Sequence, residues 1–339
     1  MKPCIKYEAE KWSDGAGAQL QRIAAVYSIS QEFGLNYIHQ EILHIESNPG
    51  DGFETLDSKR DFIRKLNGNF RITNVNCSRP HITTHLKYRK IMKFRFGARV
   101  YFFFAGLRTI FSAKHFLYVC DNPYPILENY PNIYQHFTNR FGKEDRSKEK
   151  CIQVQMHVRG SKNGNELMSS RQVDLNWYVD ILKNIDSILK LLDLKYRVII
   201  HTDAPLEAVN WKPLDISAAT EKFWKSANAM NQEGKISLTP IDFQKEFNFV
   251  ENLEVVRDID PIQAWEMMSR ADVLILGRSS FSIVAGLMNN HSVTIVPTYR
   301  HKFPKGWIIQ ENEVEFSRLQ RIRLEKYFSS LSKSFRKIH

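Results

Sequence analysis

From Cys151 to Val296 short apolar stretches alternate with longer amphipathic ones, and few chain topologies can satisfy that order. Cys151–Val158 alternates or runs apolar and carries β-branched residues, so it predicts a strand. Asp174–Leu192 follows with Tyr178, Ile181, Leu182, Ile185, Ile188, Leu189 and Leu192 at helical spacing, and Asp174 is placed to cap it. Tyr196–His201, Leu253–Val256, Val273–Leu276 and Val293–Val296 predict further short strands. Helices are expected from Asp260-Pro261, where proline suits a first turn, and over Ser280–Met288. Such alternation predicts an α/β domain with a parallel sheet wrapped by helices.

The first half begins in the same way. Lys2–Glu8 predicts a strand, Gly15–Phe33 a helix with Leu20, Ile23, Ala24, Tyr27 and Ile29 inward, and Gly34–Ile38 a turn into a second strand. His115–Cys120 predicts another strand. Residues 46–115 show no clear period apart from Lys87–Arg99, where basic and apolar residues alternate. The charged run Lys143–Lys150 is the natural linker, giving one α/β domain over residues 1–145 and another over 151–310. Over residues 311–339, Leu324, Tyr327, Phe328, Leu331, Phe335 and Ile338 recur at helical spacing among Arg and Lys. This basic amphipathic helix either packs on its own domain or lies on an anionic bilayer.

Forty-eight Lys and Arg against 37 Asp and Glu leave a formal charge of +11, which favours anionic partners without choosing among them. The charge is uneven: fourteen Lys or Arg and one acid, Asp61, lie between Ser58 and Cys120. Within that segment Lys87–Arg99 is either a half-buried strand or helix with a solvated basic face, or a docking surface for a phosphate-bearing membrane or polysaccharide. A basic nucleic-acid-binding protein is the rival class, although no RNA-binding signature is present. The longest apolar run, Val100–Ala105, falls far short of the ~20 residues of a membrane span, and Met1–Lys6 holds no apolar signal core. Cys4, Cys77, Cys120 and Cys151 are scattered without a CxxC pair, suggesting neither a zinc knuckle nor a disulfide framework. A reducing, cytoplasmic setting is the simplest expectation, with the basic tail touching the inner face of a membrane.

In parallel sheets ligands bind beyond the carboxyl ends of the strands, and four such ends carry suitable residues. Gly15 and Gly17 follow the opening strand and start a helix, where small residues let a ligand approach the backbone; a plain tight turn is the alternative. His157-Val158-Arg159 leads into Lys162 and Glu166. Arg159 can clamp a diphosphate, Lys162 can add a point charge and Glu166 can act as a general base, unless each is a solvated loop charge. Asp203, after a very apolar strand, suits ribose hydroxyls or a base edge, or else caps the next segment. Arg278, Ser279, Ser280, Phe281 and Ser282 open a helix whose N–H groups and hydroxyls form a phosphate cradle; capping alone needs one Ser. No HExxH, paired Cys, strand-end DxD, GxSxG or Walker loop is present, so chemistry without a metal is expected.

Taken in order, Gly15-Ala16-Gly17-Ala18-Gln19-Leu20, His157-Val158-Arg159, Thr202-Asp203, and Ser269–Asp272 through Ser279–Ser282 to Ala285-Gly286-Leu287 resemble the fucosyltransferase superfamily of GT-B fold. The likeness is greatest to its α1,6 branch, including the Nod-factor enzymes, and covers roughly residues 12–38 and 151–297. It implies two Rossmann-like domains with a cleft between them. It further implies metal-independent, inverting transfer of fucose from GDP-fucose to a hydroxyl of a polysaccharide or lipid-linked glycan. By that resemblance Arg159 and the Ser279–Ser282 block bind the donor diphosphate, Asp203 contacts the nucleoside, and Glu166 is the base. The sequence departs where the branch has HVRRTDKxGxE: here HVRGSKNGNE lacks the second Arg and the Asp, with Gly160 and Ser161 in their place, and Glu166 matches the base only with one residue deleted before Lys162. Another donor on the same scaffold, GDP-mannose or a UDP-sugar, is the alternative.

Overall fold

The computed structural model describes residues 2–8, 15–46, 53–72, 82–112, 116–121, 151–160, 173–226, 230–289, 292–299, 303–311 and 315–336. Two compact units account for them: residues 2–46, 55–121 and 303–305 in the first, and 53–54, 151–299 and 306–336 in the second. The expected linker at 143–150 lies outside the described residues.

The first unit holds β1 (Cys4–Tyr7), α1 (Ala16–Phe33), β2 (Asn36–Ile38), α2 (Leu56–Asn69), β3 (Ile82–Lys87), α3 (Tyr88–Lys93), α4 (Arg95–Ser112) and β4 (Phe116–Asp121). Its four strands are parallel in the order β2-β1-β4-β3. Gly34, at φ 66°, ends α1 in the left-handed conformation that only glycine adopts without cost. Thr55 and Ser58 build a reciprocal capping box at the start of α2. The segment over 46–115 thus contains three helices and a strand among the described residues. Periodicity hides α4 because it is apolar on more than one side. Cys4, buried on β1, is disulfide-bonded, which corrects the expectation drawn from the scatter of cysteines.

The second unit holds β5 (Ile152–Val158), α5 (Leu175–Leu191), β6 (Tyr196–Thr202), β7 (Val209–Trp211), α6 (Ala218–Ser226), β8 (Ile236–Leu238), α7 (Phe243–Glu246), β9 (Leu253–Val256), α8 (Pro261–Ser269), β10 (Val273–Ile275), α9 (Ser280–Met288), β11 (Val293–Pro297), β12 (Ile308–Gln310) and α10 (Arg318–Arg336). Six strands form one parallel sheet, β9-β6-β5-β10-β11-β12 from edge to edge. The chain leaves β5 toward one edge through β6 and β9, then returns to the other flank of β5 with β10, β11 and β12. That is the Rossmann order, and the direction reverses between β5 and β10. β7 and β8 pair separately as an antiparallel ribbon.

All seven residues of β5 are buried, as a central strand covered on both faces must be. Ile152, Val154, Met156 and Val158 pack with α5 residues Ile181, Leu182 and Ile185 in one core. The other face of β5 carries Gln153, Gln155 and His157, which are buried and therefore need partners. Gln155 donates to the Met267 carbonyl at 2.9 Å and accepts from His201 at 2.8 Å, and Asp272 takes the Gln153 N–H at 2.9 Å. Of the two readings of the C-terminal helix, packing holds. Leu324 and Phe328 of α10 are wholly buried in the same core, each side chain contributing about 1.5–3 kcal/mol.

Candidate functional site

The parallel register fixes which loops meet. β5 pairs with β6 up to Val158↔Thr202, so the next residues, Arg159 and Asp203, emerge side by side. β5 pairs with β10 up to Met156↔Ile275, and the same offset carried onward sets Gly277 beside Val158 and Arg278 beside Arg159. Three consecutive carboxyl ends therefore bring the His157–Gly160, Thr202–Asp203 and Gly277–Ser280 segments together at the reversal point of the sheet.

Arg159 is the central group. Its Nε lies 3.8 Å from Asp203 Oδ2, and the other carboxylate oxygen accepts the Gly160 N–H. Burial pushes the Asp203 carboxyl above its usual range, while Arg159 and that N–H pull it back. At Gly160 a Cβ would run into the backbone and Cβ of Ala204. The Arg that the resembled branch carries there has no room in this chain. Arg257, after β9, donates to the Ala204 carbonyl at 3.1 Å and fixes the same loop from its far side.

Across the reversal point Ser279 caps α9, accepting the Phe281 N–H at 3.3 Å. Ser282 is fully buried and shares its hydroxyl between the Gly277 and Ser279 carbonyls, at 3.2 and 3.1 Å, so its side chain braces the loop from inside. The Phe281 ring stacks on Trp265 at 4.9 Å and meets His157 at 5.3 Å, and the Trp265 indole donates to the Phe281 carbonyl at 2.9 Å. Phe281, half-buried, and His157, buried, are thus held in ring contact at the strand ends. Burial, then His201 and Arg159, hold the His157 pKa down at about 3, keeping the ring neutral at physiological pH. Ser280 and Arg278 are partly exposed at the edge, and Arg278 Nε donates to the Thr298 carbonyl at 3.0 Å.

Two contributors are not apparent from the sequence. Tyr178, expected only as an inward helix residue, brings its hydroxyl to the strand ends: a Cβ built on Gly277 would lie 2.8 Å from it and 3.1 Å from the His157 carbonyl. Gly277 is therefore required by close approach. A cavity of about 260 Å³ lies next to Arg278, lined also by Asp174, Trp177, Pro297 and Gln310. Lys162 and Glu166 lie outside the described residues. Gly15 and Gly17 belong to the first unit. There Gly15 precedes α1 and its carbonyl accepts from Ala18 and Gln19, whose side chain in turn accepts the buried Tyr7 hydroxyl at 3.0 Å. Among the described residues no cluster of His, Cys, Asp or Glu is arranged to hold a metal ion.

No family model and no curated protein matches the chain. Solved structures similar to it include E. coli heptosyltransferase WaaC with ADP, at 9% identity and a TM-score of 0.38 over 97% of this chain and 99% of that one. The same enzyme with ADP-2-deoxy-2-fluoro heptose gives 9% and 0.36 over 97% and 99%. E. coli ADP-heptose lps heptosyltransferase II gives 8% and 0.33 over 98% and 99%. Likenesses of that size assign neither a reaction nor a substrate, and the chain's chemistry rests on its own strand ends.

Proposed function

We propose that the second unit holds the pyrophosphate of a nucleotide sugar at the reversal point between β5 and β10, and that the chain is a glycosyltransferase acting on a glycan hydroxyl without a metal. One observation carries this reading: Arg159 and the N-terminus of α9, about 120 residues apart in sequence, share the carboxyl edge of two adjacent parallel strands. A guanidinium and a helix N-terminus converging there stabilise the negative charge that grows on a departing diphosphate. Glu166 is the proposed base for the acceptor hydroxyl, carried by the motif resemblance, and Lys162, by its charge after the same strand, a second cation on the leaving group. GDP-fucose is the donor that resemblance implies. Gly160, walled in by Ala204, stands where that branch has a second Arg, so we take the donor more broadly as a nucleotide sugar.

A thermal-shift panel of ADP, GDP, UDP, CMP and their sugars, with and without EDTA, tests the proposal. Protection by one nucleoside diphosphate, unaltered by EDTA, is expected. A chain that none of them protects, or one that binds DNA with steep salt dependence, overturns it.

A further inference from the structure

Helix α4 is apolar on two opposite faces, and the fold covers one of them. Phe102, Ala105 and Thr109 are buried on one side, where Phe102 meets Phe33 of α1 at 5.2 Å and Tyr118 of β4 at 5.2 Å. On the other side Phe96 is 81% exposed, Phe103 64%, Phe104 61% and Phe111 84%, with Val100 and Ile110 between them also exposed. At 3.6 residues per turn these six fall within a sector of about 120°, turned away from the buried one. With ~200 Å² for each phenylalanine side chain, the four rings alone expose about 600 Å², at the upper end of the largest patch usual on a soluble monomer.

Charge says what covers it. Residues 87–112 contain seven Lys or Arg and no acid. Arg99 and Arg108 flank the apolar stripe on either side, and exposed Lys87, Lys90 and Lys93 extend it. Glu32 of α1 compensates Arg95, at 3.1 Å, and Arg99, at 3.6 Å, and so offsets part of this charge. We infer that this face of α4 lies on an anionic lipid bilayer, with the phenylalanines in the headgroup–acyl boundary and the cations among lipid phosphates. The helix does not cross: no helix among the described residues is long and apolar enough to span a membrane. The rival surface, α10, has spent its apolar face on the core of its own unit and offers Leu319 as its exposed apolar residue of note.

Flotation of the full chain with vesicles of phosphatidylcholine alone, or with about one-third phosphatidylglycerol, tests this. Binding to the anionic vesicles is expected, weakened by salt. The double variant Phe103→Ser/Phe104→Ser should lower it at least about tenfold, while Leu319→Ser changes it less than about twofold. Unfolding temperatures are measured alongside, and Phe111→Ser, at the far end of the stripe, serves as the second variant should the double one misfold. Wild-type chain that floats with neither vesicle overturns the inference, as does undiminished binding by the α4 variants or equal loss in Leu319→Ser. A dimer on gel filtration that Phe103→Ser/Phe104→Ser splits also overturns it, by giving the face to a second copy of the chain.

Discussion

The Arg159 guanidinium stands 3.8 Å from the Asp203 carboxylate, which also accepts the N–H of Gly160. The acid assigned by resemblance to the nucleoside thus also aims the cation that would face the diphosphate. Arg159→Ala should abolish transfer and nucleoside diphosphate protection. It should also cost about 3 kcal/mol of stability, because it leaves the mostly buried Asp203 carboxylate without its cation. Asp203→Asn keeps an oxygen for the Gly160 N–H, so the fold should hold to within about 1 kcal/mol while nucleotide affinity drops severalfold. Inorganic pyrophosphate separates the two roles of Asp203. Equal weakening of pyrophosphate and nucleotide marks an aiming role, whereas loss confined to the nucleotide marks a nucleoside contact.

Gly160→Ala should be among the most damaging single changes in the second unit. The new methyl meets the Ala204 main chain, which cannot swing aside as a side chain would, and Ala204 is pinned by Arg257. A loss of about 1–3 kcal/mol is expected from overpacking, read as a lowered denaturant midpoint. A variant of unchanged stability would show that the two loops are free to separate.

Most elements of the second unit are legible in the sequence because β5, β10 and β11 are buried along their whole length and α5 buries one face, so hydrophobic runs and 3.6-residue spacing report the fold directly. β9 and α9 fall where the sequence places them, and Asp174 and Asp260 cap as expected. The short ribbon β7–β8 and helix α7 are not legible, since three or four residues carry no period, and α6 lies in the same weakly periodic stretch. At the site, Arg159, Asp203 and Ser279 stand out as polar residues after apolar strands. Ser282 follows them in the sequence, and in the fold its buried hydroxyl is taken up by the Gly277 and Ser279 carbonyls, while the half-buried Phe281 ring stacks on Trp265. What the sequence does not show of Tyr178 and Gly277 is their approach, between residues about 99 positions apart.

Gly277→Ala tests that approach. Its Cβ would press on the Tyr178 hydroxyl at 2.8 Å and on the His157 carbonyl at 3.1 Å. The substitution should cost about 1–3 kcal/mol and weaken nucleotide binding by narrowing the strand-end crevice. Tyr178→Phe removes the nearer atom. In the double variant the penalty should be smaller than the two single effects added, by at least about 0.5 kcal/mol. Strict additivity would mean that the hydroxyl is not what fills the space.

Acid should unfold the second unit through two buried imidazoles. Burial, with His201 and Arg159 adding to it, holds His157 at about 3, and burial alone holds His201 at about 4. In the unfolded chain both titrate near 6.5. The unfolded state therefore takes up protons first, and stability that is complete above pH 6.5 falls as pH drops through 6.5 toward 4 and 3. At pH 5 each ring accounts for a loss of about 2 kcal/mol. Gln155 gives its NH₂ to the Met267 carbonyl, so its oxygen must accept from His201 Nε2, which fixes that ring in one neutral tautomer. Denaturant melts from pH 7.5 to pH 4.5 should show a slope that His201→Asn roughly halves, even though that variant starts from a lower stability. An unchanged slope would place the acid sensitivity elsewhere than in His201.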